Sequence, residues 1–244
     1  MFEKYRISAR CGGLFRLILL WFYRSISVFV AISVVLVLAF RWLAPPLSGF
    51  MIQGYLQGIW AGKKMPVIRY QWVPYEAISP AMALAVVAGE DQKFPVHSGF
   101  DFQAIQQAFK DRVQGKPLRG ASTISQQVVK NLYLWHGRSW LRKVLEAWFT
   151  LLIEILWSKR RILEVYLNII ELGNQTFGVE AASRRFFKKP ARQLSREEAA
   201  LLAAVLPSPL NYYADAPSSH VRERQAWILK QMQQLGGVSY LEQL

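Results

Sequence analysis

From Leu17 to Phe40 nearly every position is apolar, and only Arg24 breaks the run with a charge. About 20 apolar residues suffice to cross a hydrocarbon core as a helix. Arg24 lies toward the N-terminal end, where its stem can carry the charge to the headgroups. Trp21, Tyr23 and Trp42 stand near the two ends, as interfacial aromatics do. Lys4, Arg6, Arg10 and Arg16 precede the run, whereas Arg41 alone follows it before Pro45-Pro46. That asymmetry predicts a cytoplasmic N-terminus, with the rest of the chain on the outer face of the membrane. A cleaved signal peptide would have a shorter apolar region followed by small residues. Ala39-Phe40-Arg41 stands there instead, so an uncleaved single-span anchor is expected. The reading divides the chain into a basic tail (1–16), an anchor (17–43), a Gly- and Pro-punctuated linker (44–71) and a domain (72–244).

Beyond the linker the apolar positions recur at helical spacing. Phe102, Ile105, Phe109 and Val113 form one stripe, ended by Gly115 and Pro117. Ser122 or Thr123 is placed to cap a helix carrying Ile124, Val128 and Leu132. Ser139 opens another, with Val144, Trp148, Leu151 or Leu152, and Ile155 as its expected buried face. Ser158 starts one through Ile162, Val165 and Ile169. Ser195 and Glu198 have the spacing of a capping box ahead of an Ala/Leu-rich helix. A last amphipathic helix is predicted from about Val221 to Leu235, ended by Gly236-Gly237. Alternating runs are few, so the fold class is all-α.

Composition narrows the function. Among 244 residues, 30 Lys+Arg face 16 Asp+Glu, a formal charge of +14. Six cations and Glu3 in the first 41 residues leave +9 for the remainder. Behind a membrane anchor, that surplus points to lipid phosphates and acidic wall polymers and away from nucleic acid. The single Cys11 excludes an internal disulfide and any cysteine-based zinc site. Three scattered histidines (His97, His136, His220) argue against a His-rich metal centre.

Four segments could carry chemistry. The apolar run Met82–Ala88 delivers Glu90 and Asp91 side by side. A carboxylate beside apolar residues holds its proton more tightly, which suits a general base, although a helix end also leaves such a group solvated. Arg119–Leu132 is a small-residue turn entering a helix. Its N–H groups and hydroxyls suit an anion, or simply cap an amphipathic helix. Gln126, Gln127 and Lys130 project from its first turns. Arg138, Arg142, Lys143 and Glu146 cluster next; Arg142 and Glu146 are four apart and form either an ion pair or part of a phosphate clamp. Lys159-Arg160-Arg161 opposes the dipole at a helix start, which leaves a solvated face or an anionic ligand.

These residues also resemble a known family. Gly89–Asp101 (GEDQKFPVHSGFD) is similar to the E-D-x-x-F-x-x-H-x-G-x-D signature of the peptidoglycan glycosyltransferases. GASTISQQVVKNL, RKVLE (Arg142–Glu146) and KRRILEVYLNIIELG (Lys159–Gly173) follow in the family's order. FGVEAASRRFF and LSREEAALLAAVLPSPLNY extend the match over about residues 72–213. The chain most resembles the family's stand-alone form. The bifunctional relatives carry a transpeptidase serine in S-x-x-K; no serine here has Lys three residues on, so that activity is not expected. Ser125 stands where Thr is frequent, Lys188 where Gly is common, and His136-Gly137 where more polar residues are usual.

The resemblance implies a lysozyme-like helical fold and polymerisation of lipid II, a disaccharide-pentapeptide on undecaprenyl pyrophosphate. Glu90 and Glu146 are the implied catalytic residues. Glu90 would be the base, and Glu146 would orient its neighbouring cations or hold a metal. Asp91, Ser122, Gln126, Lys130, Arg138, Arg142 and Lys143 are the implied substrate-binding residues. No cofactor is required on this reading, with a divalent cation (Mg or Mn) at the pyrophosphate as the alternative. The implied partners are lipid II, the growing glycan strand, membrane lipids and cell-division or elongation proteins, at the bacterial inner membrane. A membrane-dipping jaw is expected within residues 100–140, where Phe109, Leu118, Leu132, Leu134, Trp135 and Trp140 meet either lipid or the core. A lysozyme-like or lytic wall-cleaving enzyme would share the fold and the lone Glu, but would not need Lys130, Arg138 and the GASTISQQ segment together.

Overall fold

The computed structural model describes residues 2–60, 62, 67–115, 122–137 and 139–244, with side chains from residue 16 onward. The chain forms two compact units, Met1–Leu43 and Ala44–Leu244.

The first unit is one helix, α1 (Phe2–Trp42). Its segment Arg16–Trp42, 27 residues, is long and apolar enough to cross a membrane. Leu17, Leu20, Phe22, Val28, Ile32 and Val35 lie exposed along it, as lipid-facing residues must. Its polar groups are satisfied locally: the Ser25 hydroxyl donates to the Trp21 carbonyl, and the Ser33 hydroxyl donates to that of Val30. Arg24 lies over the Trp21 ring, 6.0 Å from its centre.

The second unit is helical with a small sheet. In chain order it contains α2 (Gly49–Trp60), β1 (Arg69–Tyr70), α3 (Pro80–Glu90), α4 (Phe102–Val113), α5 (Ile124–Tyr133), α6 (Trp140–Leu156) and α7 (Lys159–Ile169). It continues through β2 (Glu171–Gly173), β3 (Thr176–Phe177), α8 (Val179–Phe187), α9 (Arg196–Val205) and α10 (Ser219–Gln234). The strands are ordered β1-β3-β2; β1 runs parallel and β2 antiparallel to β3, with Arg69 opposite Thr176. Gly178 closes the turn into α8 at φ +82°, where a Cβ would sit 2.3 Å from the Asn168 carbonyl oxygen, so only glycine fits.

The core lies around α3. Pro80 occupies its first turn, and Ala81–Ala88 are buried on every side, packed against α9 and α10. A second layer packs α5 against α6 and α7. The predicted caps form: Thr123 and Gln126 close a capping box on α5, Ser195 and Glu198 one on α9, and Ser139 and Ser158 cap α6 and α7.

Three expectations change. Residues 44–71 are not merely a linker: they contain α2 and β1 and cluster with the domain, and α2 packs on α5. Apart from Leu152, α6 does not bury its expected face. Val144, Leu151 and Ile155 are exposed, while Phe149, Leu152 and Ile153 are buried together with Glu146. The helix is apolar on two sides, so periodicity alone does not select the inner one. The α4 stripe Phe102, Ile105, Phe109 and Val113 also faces outward, unlike a core stripe. Within the expected jaw, Phe109, Trp135 and Trp140 are exposed, Leu132 and Leu134 are buried, and Leu118 lies outside the described residues.

The cationic run at the start of α7 is internally neutralised. Lys159 pairs with Glu154 at 2.9 Å and lies over Phe94; Arg160 pairs with Glu76 and lies over Tyr75; Arg161 pairs with Glu164 at 2.7 Å and lies over Trp72.

Candidate active site

Glu90 is the last residue of α3, so a rod buried on all sides ends in a carboxylate. Its side chain is 15% exposed. Oε2 accepts from Gln127 Nε2 at 3.0 Å, and Oε1 accepts from the Arg224 guanidinium at 3.3 Å. Burial raises the affinity of Glu90 for a proton above that of an ordinary carboxyl; Gln127, Arg224 and Lys130 oppose the shift without cancelling it. Gln127 is itself oriented: the buried Tyr166 hydroxyl donates to its Oε1 at 3.0 Å, which turns its amide N–H toward Glu90. Ser122 joins Glu90 in lining a cavity of about 170 Å³ that also meets Lys93 and Asp101.

Asp91 lines the same cavity and also braces the scaffold. Its Oδ2 accepts from the Ile124 N–H at 2.9 Å and from His97 Nε2 at 2.8 Å. His97 Nδ1 accepts from the Gly99 N–H, so Nε2 is the nitrogen that carries the proton. The carboxylate therefore ties the end of α3 to the first N–H of α5, where a helix favours negative charge. The side chain of Gln126 is engaged in the capping box, its Oε1 accepting from the Thr123 N–H at 3.0 Å.

The cations gather on α5 and α6. Lys130 is largely buried, and burial lowers its pKa; Glu146 and Glu90 pull it upward, Arg142 and Lys143 downward. It therefore sits within electrostatic reach of both carboxylates. Its Nζ lies 5.9 Å from the centre of the Phe50 ring on α2. Glu146 is buried; its Oε2 accepts from Arg142 at 3.3 Å and its Oε1 from Lys143 at 2.5 Å. Among the described residues Arg142 Nε is buried without a hydrogen-bond partner. The His136 ring stacks on Phe50 at 3.6 Å, and its backbone N–H donates to Gln53, so α2 also props the loop leading to α6.

Lys130 thus lies within electrostatic reach of Glu90, Arg142, Lys143 and Glu146, and Ser122 shares the cavity of Glu90. Asp91 Oδ2 and Gln126 Oε1 also hold backbone N–H groups of α5 and its cap, so both side chains serve the scaffold, while Asp91 lines the Glu90 cavity as well. Arg138 lies outside the described residues. The sequence places Gln127 on the first turns of α5 but assigns it no role, and it does not single out Arg224. Gln127 was discoverable, since it lies three residues from Lys130 on one helix face, while Thr123-x-x-Gln126 has capping-box spacing. Arg224 gives no local signal, being 134 residues from Glu90.

A protein-held divalent cation does not fit this donor set. No three His, Cys, Asp or Glu side chains group together among the described residues, and both Glu146 oxygens are paired with cations.

A proton acceptor facing a surplus of cations is the site of a transferase that expels an anionic leaving group. The chain belongs to the transglycosylase family, whose model matches residues 62–233. It is 53% identical over 214 residues to the biosynthetic peptidoglycan transglycosylase of Pasteurella multocida, covering 88% of this chain and 87% of that protein. It is 54% identical over 221 residues to the protein of the same name from Pseudomonas putida KT2440, covering 91% and 93%. The Cronobacter sakazakii protein of that name is 53% identical over 220 residues, covering 90% and 91%.

Proposed function

We propose that this chain polymerises lipid II into linear peptidoglycan glycan strands, releasing undecaprenyl pyrophosphate. The growing strand is the donor, its anomeric carbon bearing the lipid pyrophosphate. Lipid II is the acceptor and attacks through its sugar 4-hydroxyl. Glu90 takes the hydroxyl proton as the new bond forms. The pyrophosphate leaves from the opposite face, so the α-linked donor yields a β-linked product in one displacement.

Lys130, Arg138, Arg142 and Lys143 stabilise the departing diphosphate. Glu146 positions Arg142 and Lys143. One such clamp is worth about 2–4 kcal/mol of barrier. What supports this is that Lys130 lies within electrostatic reach both of Glu90, which burial makes proton-avid, and of Arg142, Lys143 and Glu146. Donor chemistry thus lies beside acceptor activation.

The anchor tethers the domain to the bilayer in which the substrate's lipid resides. The Lys/Arg asymmetry around it supports an outer-face domain on the inner membrane, where cell-division or elongation proteins would be its partners. The test is purified full chain with lipid II in detergent, with product length read on gels. The parent is expected to make long strands, and Glu90→Gln to be slower by about 10²–10⁴-fold. Near-normal polymerisation by Glu90→Gln would remove the base. Cleavage of preformed peptidoglycan without strand synthesis would instead support a wall hydrolase.

A further inference from the structure

Away from Glu90, β1 and α8 enclose an open groove of about 550 Å³ lined by Arg69, Tyr70, Arg184, Arg185 and Lys188. Four of these five side chains are cationic. Arg184 alone has a carboxylate partner, Glu180 at 2.6 Å, and the other Glu180 oxygen accepts from the Ala191 N–H. Arg185 donates to the Asn174 carbonyl and the Thr176 hydroxyl, and Lys188 to the Arg185 carbonyl, all neutral acceptors. Among the described residues, no acid pairs with Arg69, Arg185 or Lys188.

Lys188 is also in an unfavourable conformation. It ends α8 in the left-handed region, φ +58° and ψ +28°, where glycine is the ordinary occupant. A lysine held there adds a cation to a groove that already has a surplus.

The groove wall is also joined to the segment that follows the anchor in sequence. The Tyr70 hydroxyl donates to the Pro45 carbonyl at 2.6 Å. Pro45 lies three residues past Trp42 in sequence, where α1 ends. Headgroup layers add roughly 5–8 Å on each side of the hydrocarbon core.

We propose that this groove binds the headgroup of an anionic phospholipid, its phosphodiester held by Arg69, Arg185 and Lys188. Two guanidinium forks and an ammonium match a phosphate better than a zwitterionic headgroup, whose own cation they repel. Such a contact would fix the depth of the domain at the bilayer surface. The proposal rests on the anchor and not on glycosyl transfer, so it stands or falls separately from the catalytic reading.

The test uses full chain in detergent, titrated with phosphatidylglycerol or phosphatidylcholine, with bound lipid counted by native mass spectrometry. The parent is expected to prefer phosphatidylglycerol. Arg69→Gln with Lys188→Gly should weaken that preference about fivefold per cation removed, with polymerisation in detergent unchanged. Lys188→Gly alone relieves the backbone, so it should melt no lower than the parent and still lose its share of the preference. Equal binding of the two lipids by the parent, or an unchanged preference in the variants, would overturn the proposal. So would displacement of phosphatidylglycerol by inorganic phosphate at equal concentration, which would mark a site for free anions.

Discussion

Replacing Asp91 separates a scaffold role from a substrate role. Its buried carboxylate receives two hydrogen bonds, from the Ile124 N–H at 2.9 Å and His97 at 2.8 Å. Asp91→Ala would leave both buried donors without that acceptor; each is worth about 1–3 kcal/mol. Loss of negative charge at the first turn of α5 adds roughly 0.3–1 kcal/mol. A total of about 2–7 kcal/mol, at roughly 2–4 °C per kcal/mol, lowers the melting temperature by on the order of 10 °C. Asp91→Asn keeps one oxygen acceptor and should lose less than half of that. The α3–α5 strut also sets Gln127 against Glu90, so turnover should fall in step with stability while KM for lipid II changes little. The assay pairs thermal unfolding of the detergent-solubilised chain with initial polymerisation rates across lipid II concentrations. If Asp91→Ala melts within 2 °C of the parent and raises KM tenfold, the carboxylate contacts substrate and the strut is wrong.

Arg224→Met removes a cation 3.3 Å from Glu90, leaving burial less opposed. The base must be ionised to work, so activity falls as pH drops through its pKa; the variant should lose activity at higher pH than the parent, as a pH–rate profile will show. The folded Glu90 carboxyl binds its proton more tightly than the unfolded one, so its protonation favours the fold, and this acid limb should appear without unfolding. An unshifted limb would place Arg224 outside the tuning of the base. Lys130→Ala should lower kcat by about 10²–10³-fold through loss of leaving-group stabilisation; unchanged kinetics would remove it from the diphosphate site.

The sequence by itself determined the anchor, the all-helical class, the caps on α5, α6, α7 and α9, and the candidacy of Glu90, Lys130 and Glu146. These are local matters: a run of apolar residues, a hydroxyl three residues before an N–H, a carboxylate beside an apolar stretch. Tertiary structure decided what spacing cannot express. It turned Glu90 toward Gln127 and Arg224 and the adjacent Asp91 toward Ile124, because successive residues at a helix end point in different directions. It chose the Phe149–Ile153 side of α6 for burial and left Val144 and Ile155 outside, since a helix apolar on two sides takes its inner face from its neighbours. It folded the supposed linker into α2 and set Phe50 beneath Lys130. Arg224 reaches the base from 134 residues away, a proximity that only the packing of α10 against α3 creates.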